Sequence, residues 1–181
     1  MIGTHNSLTG YKPVHWYHRP FAFLWRCQTK TLKEQLEKNV GYFDIRIRMD
    51  KDGKIQFCHG LVDLKVPYAL DLLLRILSDN NKKCRIIVER GWDFNVMNYI
   101  KPEYNISVVR QVIFKKGWRY AFFVKDDIKD YTYVPFYSDK GFWWNLMHMK
   151  FSTIRRYAKK HNPEITEELI NDKTIHFMDR I

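Results

Sequence analysis

Cysteine is scarce in this chain, and the few cysteines lie far apart. There are three, Cys27, Cys58 and Cys84, so their spacing predicts neither a disulfide framework nor a close pair of metal ligands. Such a sparse, odd set favours a reducing compartment. Cys58 and Cys84 lie in strand-like runs, where a free cysteine behaves as a small apolar residue.

Long apolar runs are also missing. No stretch approaches the roughly 18 residues that a membrane-spanning helix needs, and no secretory signal is seen. We therefore expect a cytoplasmic or peripheral membrane protein rather than a secreted one. The sequence contains no internal repeat, low-complexity tract or linker, so we expect residues 1–181 to fold as a single domain and the protein to be a monomer.

What the chain has in excess is positive charge. Among its 181 residues, 31 are Lys or Arg and 20 are Asp or Glu, which gives a net charge of +11. A hydrophobic content of 45% is typical of a globular protein. The charge favours anionic partners such as phosphate esters or anionic lipid surfaces. Nucleic acid is not expected, because the basic residues follow no recognised recognition motif.

Apolar periodicity predicts strands that alternate with helices. A capping box at Thr31 and Glu34 begins a helix that Gly41 ends, and Pro67 begins a second helix with a leucine stripe. Strands are predicted at 1–4, 41–48, 85–89, 120–124, 131–137 and 174–178, further helices at 106–114, 142–161 and 164–170, and a polar turn at 126–130. This alternation is typical of parallel β/α units, in which functional sites gather at the carboxyl ends of strands.

The strand at 41–48 carries the most informative pattern. Three apolar and three charged residues alternate along it: Phe43, Asp44, Ile45, Arg46, Ile47 and Arg48. The two kinds of side chain therefore face opposite sides of the strand. Charges on the hidden face of a buried strand are costly unless they are paired or used. A turn at 50–53 then returns the chain toward His59, and this combination of carboxylate, guanidinium and imidazole suits chemistry on a phosphate ester.

Aromatic residues are concentrated in the long connection after Gly10 and in the predicted helix at 142–161, and in both they are interleaved with basic residues. The connection could be a lid that packs on the core or an interfacial lipid contact, because Trp and Tyr favour the membrane boundary. The helix could be a core helix with a solvated basic face or one that lies on a membrane. Transient membrane contact is expected through Trp16, Trp25, Trp143 and Trp144.

Two histidines and one arginine can cleave a phosphodiester without a metal. One histidine removes a proton from the attacking hydroxyl, and the other protonates the leaving oxygen. The arginine neutralises the phosphate in the transition state. A carboxylate beside each histidine fixes its tautomer and supports its charge.

Five short motifs in order resemble the phosphatidylinositol-specific phospholipase C X-domain family, and most closely its compact bacterial-type enzymes. They are Gly3-Thr4-His5-Asn6-Ser7, Cys27-Gln28, Glu34-Gln35-Leu36, Gly41-Tyr42-Phe43-Asp44-Ile45-Arg46 and His59-Gly60. The resemblance implies a distorted TIM barrel and a phosphoric diester hydrolase or lyase of lipid metabolism that acts through a cyclic inositol phosphate. Because a (β/α)₈ barrel usually takes about 250 residues, we expect a compact or incomplete, distorted α/β barrel.

The resemblance also implies a role for individual residues. His5 matches the general base, His59 the general acid and Arg46 the phosphate-binding arginine. Asp44 matches the acidic residue two places before that arginine, and Asp179 resembles the last-strand aspartate that partners the general base. The alternative interpretations are that the two histidines are structural, that Asp44 and Arg46 form a buried structural pair, and that Asp179 is solvated.

Three further residues are predicted to bind substrate. Lys125 resembles the basic residue that faces the inositol, and Glu89 occupies the end of the third strand. Asn6 stands where bacterial members usually have an aspartate that supports the general acid. Because asparagine there is typical of the calcium-dependent branch, Asn6, Asp44 and Glu89 could instead form a calcium site.

Metal-free catalysis without a cofactor is the favoured prediction, because the fixed charge of Arg46 would repel a metal. Two other functions stay open. One is a metal-dependent phosphodiesterase that acts on glycerophosphodiesters or sphingomyelin-type lipids, and the other is a non-catalytic barrel that binds anionic lipid.

Overall fold

The computed structural model describes residues 1–91, 128–131, 147 and 153–181. Seven strands are described: β1 (Ile2–Thr4), β2 (Tyr42–Met49), β3 (Ile55–His59), β4 (Val62–Asp63), β5 (Lys83–Gly91), β6 (Ile128–Asp130) and β7 (Ile175–Met178). The helices are α1 (Ala22–Trp25), α2 (Leu32–Glu37), α3 (Leu70–Asp79), α4 (Ile154–His161) and α5 (Glu167–Asn171). Two 3₁₀ helices, Ser7–Gly10 and Trp16–His18, lie in the long connection after β1.

Five of these strands form one parallel sheet in the order β5–β2–β1–β7–β6. β5 pairs with β2 along its whole length, whereas β1 pairs only with the first residues of β2, at Tyr42 and Phe43. This leaves the later part of the same edge free for β3, which pairs antiparallel at Ile47–Met49 and continues into β4. Parallel strands joined through helices agree with the predicted β/α units, and the described part of the sheet is an open arc.

The alternating pattern of β2 separates the core from the site, as predicted. Phe43, Ile45 and Ile47 are fully buried among the leucines of α2 and α3. On the opposite face, an apolar layer of Tyr42, Ile175 and Phe177 comes first along the strands. The charged residues of β2 follow this layer toward the carboxyl end, so the sheet carries its polar groups where sites gather in such folds.

The helix boundaries differ from the sequence expectation in two places. The capping box at Thr31 and Glu34 forms, but α2 ends at Glu37 instead of Gly41, because Asn39 adopts a left-handed conformation with φ of 57°. The second helix begins at Leu70 rather than at Pro67, while its leucine stripe is buried as predicted. Gly10 allows the chain to pass close to itself, because a Cβ there would lie 1.9 Å from the Lys30 carbonyl oxygen.

The second half of the chain differs more from the sequence expectation than the first half does. Residues 128–130, predicted as part of a polar turn, form strand β6 beside β7, because backbone pairing outweighs their polar composition. A continuous helix over 142–161 is wrong, since Thr153 is extended and caps a separate helix, α4. The predicted elements at 106–114 and 120–124, and residues 132–137, lie outside the described residues. Within the described ranges, no helix is both long and apolar enough to cross a membrane.

Candidate active site

The carboxyl ends of the parallel strands bring the predicted residues together. His5 follows β1, and its backbone N–H donates to the Met178 carbonyl at 3.1 Å, which ties it to the end of β7. Arg46 lies on β2 and Glu89 near the end of β5, while Asp179 directly follows β7. The imidazoles of His5 and His59 lie with their ring centroids 6.4 Å apart.

His5 sits between a carboxylate and a guanidinium. Its Nδ1 lies 2.9 Å from Asp179 Oδ1, and its Nε2 lies 2.7 Å from Arg46 Nη2. Because a guanidinium can only donate hydrogen bonds, Nε2 must be the acceptor and Nδ1 must carry the proton. The arrangement therefore holds His5 in the tautomer whose Nε2 lone pair faces the site, as a general base requires.

Arg46 is held by two carboxylates. Its Nη1 donates to Glu89 Oε1 at 2.7 Å and its Nη2 to Asp44 Oδ2 at 3.2 Å. Burial alone would lower the pKa of Arg46, but Asp44 and Glu89 outweigh it and raise that pKa above its ordinary value. The side chain is only 10% exposed. Its ionised guanidinium is therefore a permanent positive charge inside the site.

Asp44 is a fully buried carboxylate that fixes the positive groups around it. Its Oδ2 accepts hydrogen bonds from Arg46, from Arg85 Nη2 at 3.1 Å and from the backbone N–H of Asn6 at 3.1 Å. Burial would raise the pKa of Asp44, yet the charges of Arg46 and Arg85 lower it far below its usual range. Asp44 is therefore ionised and positions Arg46.

His59 has no carboxylate beside its Nδ1. This nitrogen lies 2.6 Å from the backbone carbonyl oxygen of Trp25 in α1, and it must donate because a carbonyl oxygen can only accept. Burial and the nearby charge of Arg46 lower the pKa of His59 to about 4. In the free protein His59 is thus neutral near pH 7, with its Nε2 unprotonated.

Asn6 lies beside the predicted base instead of the predicted acid. It adopts a left-handed conformation with φ of 47°, which asparagine tolerates better than most residues. Its side-chain nitrogen lies 3.3 Å from His5 Nε2 and 3.7 Å from Cys27 Sγ, and its Oδ1 has no hydrogen-bond partner. The amide therefore does not replace the aspartate that supports the acid in bacterial members of the resembling family.

A short hairpin positions His59. Gly60 has a φ of 56°, and its backbone N–H donates a short hydrogen bond to Glu89 Oε2. Arg48 grips Asp63 with two hydrogen bonds of 2.7 and 2.6 Å, which fixes β4 against β2. Arg48 thus has a structural partner, and Glu89 joins the hairpin to the arginine site.

Four contributors were given no role at the site by the sequence, although Cys27 and Gln28 form one of the resembling motifs. Arg85 pairs in register with Asp44 and shares the face of Glu89, so the period-two alternation of β5 could have found it. Gln28 donates to the carbonyl oxygens of His5 and Met178. Cys27 is buried next to the site, and this burial raises the pKa of its thiol. The Trp25 carbonyl carries no side-chain signal at all.

The remaining predicted residues are Lys125 and the four tryptophans that are expected to contact a membrane. Trp16 is 73% exposed, whereas Trp25 is 8% exposed and donates its indole N–H to the His18 carbonyl. The side chain of Trp25 thus packs inward, and the expected membrane contact stays a prediction. Lys125, Trp143 and Trp144 lie outside the described residues.

The alternative calcium set does not fit a cation in this arrangement. The carboxylates of Asp44 and Glu89 are both engaged by Arg46, and Arg85 adds a second positive charge. The charges of the two carboxylates and the two guanidinium groups already cancel. A divalent cation would therefore add uncompensated positive charge next to Arg46. The side-chain oxygens Asn6 Oδ1 and Asp44 Oδ1 do lack hydrogen-bond partners, but they offer only one formal charge.

Comparison with known proteins identifies the fold. The chain aligns with a double mutant of the phosphatidylinositol-specific phospholipase C from S. aureus over 99% of its length and 84% of that chain, with 14% identity and a TM-score of 0.62. It aligns with the phosphatidylinositol-specific phospholipase C from Listeria monocytogenes over 99% of its length and 87% of that chain, with 14% identity and a TM-score of 0.56. A further phosphatidylinositol-specific phospholipase C structure from S. aureus aligns with 60% of this chain and 33% of its own, with 18% identity and a TM-score of 0.42.

The chain is therefore similar in structure, over nearly its whole length, to bacterial phosphatidylinositol-specific phospholipases C. This confirms the predicted resemblance at the level of fold, and it places the open α/β sheet among TIM-barrel-like structures. No family model and no curated protein sequence matches the chain.

Proposed function

We propose that this protein is a phosphodiesterase that cleaves the head group of a phospholipid without a metal, in the manner of a phosphatidylinositol phospholipase C. The observation that carries the proposal is the convergence of His5, Arg46 and His59. Arg46 Nη2 lies 2.7 Å from His5 Nε2, and the ring centroids of the two imidazoles lie 6.4 Å apart with their planes 74° from parallel. A phosphoryl group bound between them would contact all three side chains.

The three side chains take complementary roles in this proposal. His5 Nε2 removes the proton from the attacking hydroxyl of the head group, whose oxygen then bonds to phosphorus. Protonated His59 gives its proton to the leaving oxygen of the lipid, so that a cyclic phosphodiester forms and the P–O bond to the lipid breaks. Asp179 supports the imidazolium of His5, and Arg46 stabilises the charge on the phosphoryl oxygens.

Substrate binding completes the arrangement. In the free protein, Arg46 Nη2 donates a hydrogen bond to His5 Nε2 and so occupies the lone pair that the base would use. A phosphate oxygen is a stronger acceptor for a guanidinium, so a bound phosphodiester would draw Arg46 away and leave His5 Nε2 to the attacking hydroxyl. The same negative charge would offset Arg46 at His59 and raise the pKa of the acid.

Membrane contact is proposed for the connection after β1. Exposed aromatic and apolar side chains cluster there at Trp16, Tyr17, Phe21, Phe23 and Leu24, which are between 49% and 73% exposed. Residues of this kind favour the membrane interface. Because this segment also provides the Trp25 carbonyl that orients His59, docking would place a lipid head group near the acid.

The direct test is release of water-soluble inositol phosphate from phosphatidylinositol vesicles in the presence of a chelator. We expect His5→Ala and His59→Ala each to lower the rate by about 10² to 10⁴-fold. Lys51→Ala is the control, because Lys51 is exposed in the turn between β2 and β3 and belongs neither to the site nor to the connection after β1, and it should retain the rate. Full activity of both site variants would overturn the proposal.

The same assay separates the alternatives. Activity on glycerophosphodiester or sphingomyelin-type substrates that is lost with chelator and restored by calcium would favour the metal-dependent enzyme. Binding to anionic vesicles without product after long incubation would favour a non-catalytic barrel. Two observations bear on this alternative: Arg46 occupies the lone pair of His5, and Nδ1 of His59 meets a neutral carbonyl oxygen instead of a carboxylate.

A further inference from the structure

A cationic cavity lies beside α4, and its lining residues are not those of the predicted active site. It has a volume of about 560 Å³, and its lining residues are Thr29, Arg155, Ala158, Lys159, Asn162 and Arg180. None of these residues belongs to the site around His5. The cavity lies between α4 and the segment that follows β7.

Three of the described lining residues carry positive side chains, and no described lining residue is acidic. Among the described residues, no carboxylate forms an ion pair with Arg155, Lys159 or Arg180. Burial lowers the pKa of Arg180, and the charges of Arg26 and Arg155 lower it further, against the smaller opposing effect of Asp179. Uncompensated cations that disfavour one another create a positive potential that an anion would relieve.

The positions of two arginines are costly for the fold. Arg155 lies in the first turn of α4, where the helix dipole disfavours a cation and where no acidic residue is found. Arg180 has a φ of 59°, the left-handed conformation, whereas the other non-glycine residues with positive φ are all asparagines. Its backbone N–H donates to the Cys27 carbonyl at 2.8 Å, and its Nε is buried without a hydrogen-bond partner. Such features persist where another role requires them.

We propose that this cavity binds a phosphate-bearing anion at a site separate from the active site. Two guanidinium groups and one ammonium group are the side chains that recognise phosphate oxygens, and arginine does so with paired hydrogen bonds. Asn162 Oδ1 is buried and has no hydrogen-bond partner in the described part of the chain, so it can accept a hydrogen bond from a hydroxyl on the ligand. The ligand is either free phosphate or the phosphate of an anionic lipid.

The cavity adjoins the support of the predicted base. Asn162 Nδ2 donates to the Asp179 carbonyl at 2.6 Å, and Arg180 is the next residue along the chain. Asp179 in turn holds His5 Nδ1. An anion bound by Arg180 would therefore lie close to the neighbouring residue Asp179, whose carboxylate orients His5.

The experiment is a ¹⁵N NMR titration of the full chain with inorganic phosphate, against sodium chloride at equal ionic strength. The Arg180 Nε–H and the Asn162 side-chain amide report on this cavity, and the His59 imidazole reports separately on phosphate in the active site. A second arm uses phosphatidylcholine vesicles with and without phosphatidylglycerol, and follows the same signals together with co-sedimentation.

Two double variants with equal loss of charge on one helix provide the comparison. Arg155→Gln with Lys159→Gln should weaken phosphate or anionic-vesicle binding at the cavity by at least about tenfold, the effect of losing a charged hydrogen bond. The control, Arg156→Gln with Lys160→Gln, should leave it within about twofold. A response to inorganic phosphate identifies free phosphate as a ligand, and a response to anionic vesicles alone identifies lipid.

Two results would overturn the inference. One is the absence of any response of the Arg180 and Asn162 signals to both probes. The other is equal weakening in the two double variants, which would mean that only overall surface charge matters. Because His59 reports on the active site independently, a failure of the phosphodiesterase proposal leaves this test intact.

Discussion

The ionisation of His59 gives the sharpest prediction, because its surroundings differ from those that a resting general acid would have. Its Nδ1 meets a neutral carbonyl oxygen, and Arg46 adds positive charge nearby. Burial, together with the charge of Arg46, lowers the pKa of His59 from 6.5 to about 4, and the hydrogen bond to the Trp25 carbonyl opposes this shift only weakly. At pH 7 about one molecule in a thousand would carry a protonated His59, compared with about a quarter at the ordinary pKa.

The expected perturbation is the binding of phosphate. A bound anion beside Arg46 should raise the pKa of His59 toward or above its ordinary value, whereas sodium chloride at equal ionic strength should not. Two-dimensional ¹H–¹⁵N NMR of histidine-labelled protein measures this directly, and His59→Ala assigns the signal. The same spectra should show both His5 and His59 with the proton on Nδ1 when neutral.

The low pKa also affects stability. The unfolded chain takes up a proton at His59 near pH 6.5, whereas the folded chain resists it down to about pH 4. The free energy of unfolding should therefore fall as pH falls through this window, by about 3 kcal/mol from this group, and the fall should be absent in His59→Gln. A His59 pKa of 6 or higher in the free protein would refute the reasoning.

The remaining predictions concern the base, the metal and the fold. Asp179→Asn should lower phosphodiesterase activity by about 10²-fold or more while circular dichroism stays unchanged, because His5 loses the charge that supports its imidazolium; unchanged activity would remove Asp179 from the site. Chelator treatment should leave the wild-type rate unchanged, and restoration of a lost rate by calcium would contradict the metal-free account. Gly10→Ala should cost more than about 3 kcal/mol in chemical denaturation, because its Cβ would lie 1.9 Å from the Lys30 carbonyl oxygen. Gly53→Ala is the control, with strained φ but nothing within 4 Å, and should cost only about 1 to 2 kcal/mol.

Much of the site could be predicted from the sequence because it depends on local pattern. Alternation along β2 separates Asp44 and Arg46 from the core, and the same parity along β5 places Arg85 beside Glu89. Positions at strand ends predict that His5 and Asp179 meet, since carboxyl ends of neighbouring parallel strands lie at one edge of the sheet.

What the sequence could not show depends on contacts between distant backbone segments. The partner of His59 is a carbonyl group 34 residues away, and any residue type could have supplied it. The strand at 128–130 exists because β7 offers hydrogen bonds to it, although its composition resembles a turn. Trp25 lies in a segment rich in aromatic residues, and no pattern in that segment predicts that its indole N–H donates to the His18 carbonyl.

The cavity beside α4 shows the same limit. Arg155, Lys159 and Arg180 lie in two separate segments, and only the docking of α4 against the chain end assembles them. The sequence alone indicates a basic helix there. The structure adds the second segment, in which the backbone of Arg180 is left-handed.

The most direct measurement of the central claim is a ³¹P NMR time course of phosphatidylinositol vesicles with the wild-type protein in the presence of chelator. If His5, Arg46 and His59 act together on one phosphoryl group, a cyclic phosphodiester signal should appear first and should be missing with His5→Ala. A lipid signal that stays unchanged over long incubation, or a product that His5→Ala forms equally fast, would contradict the account.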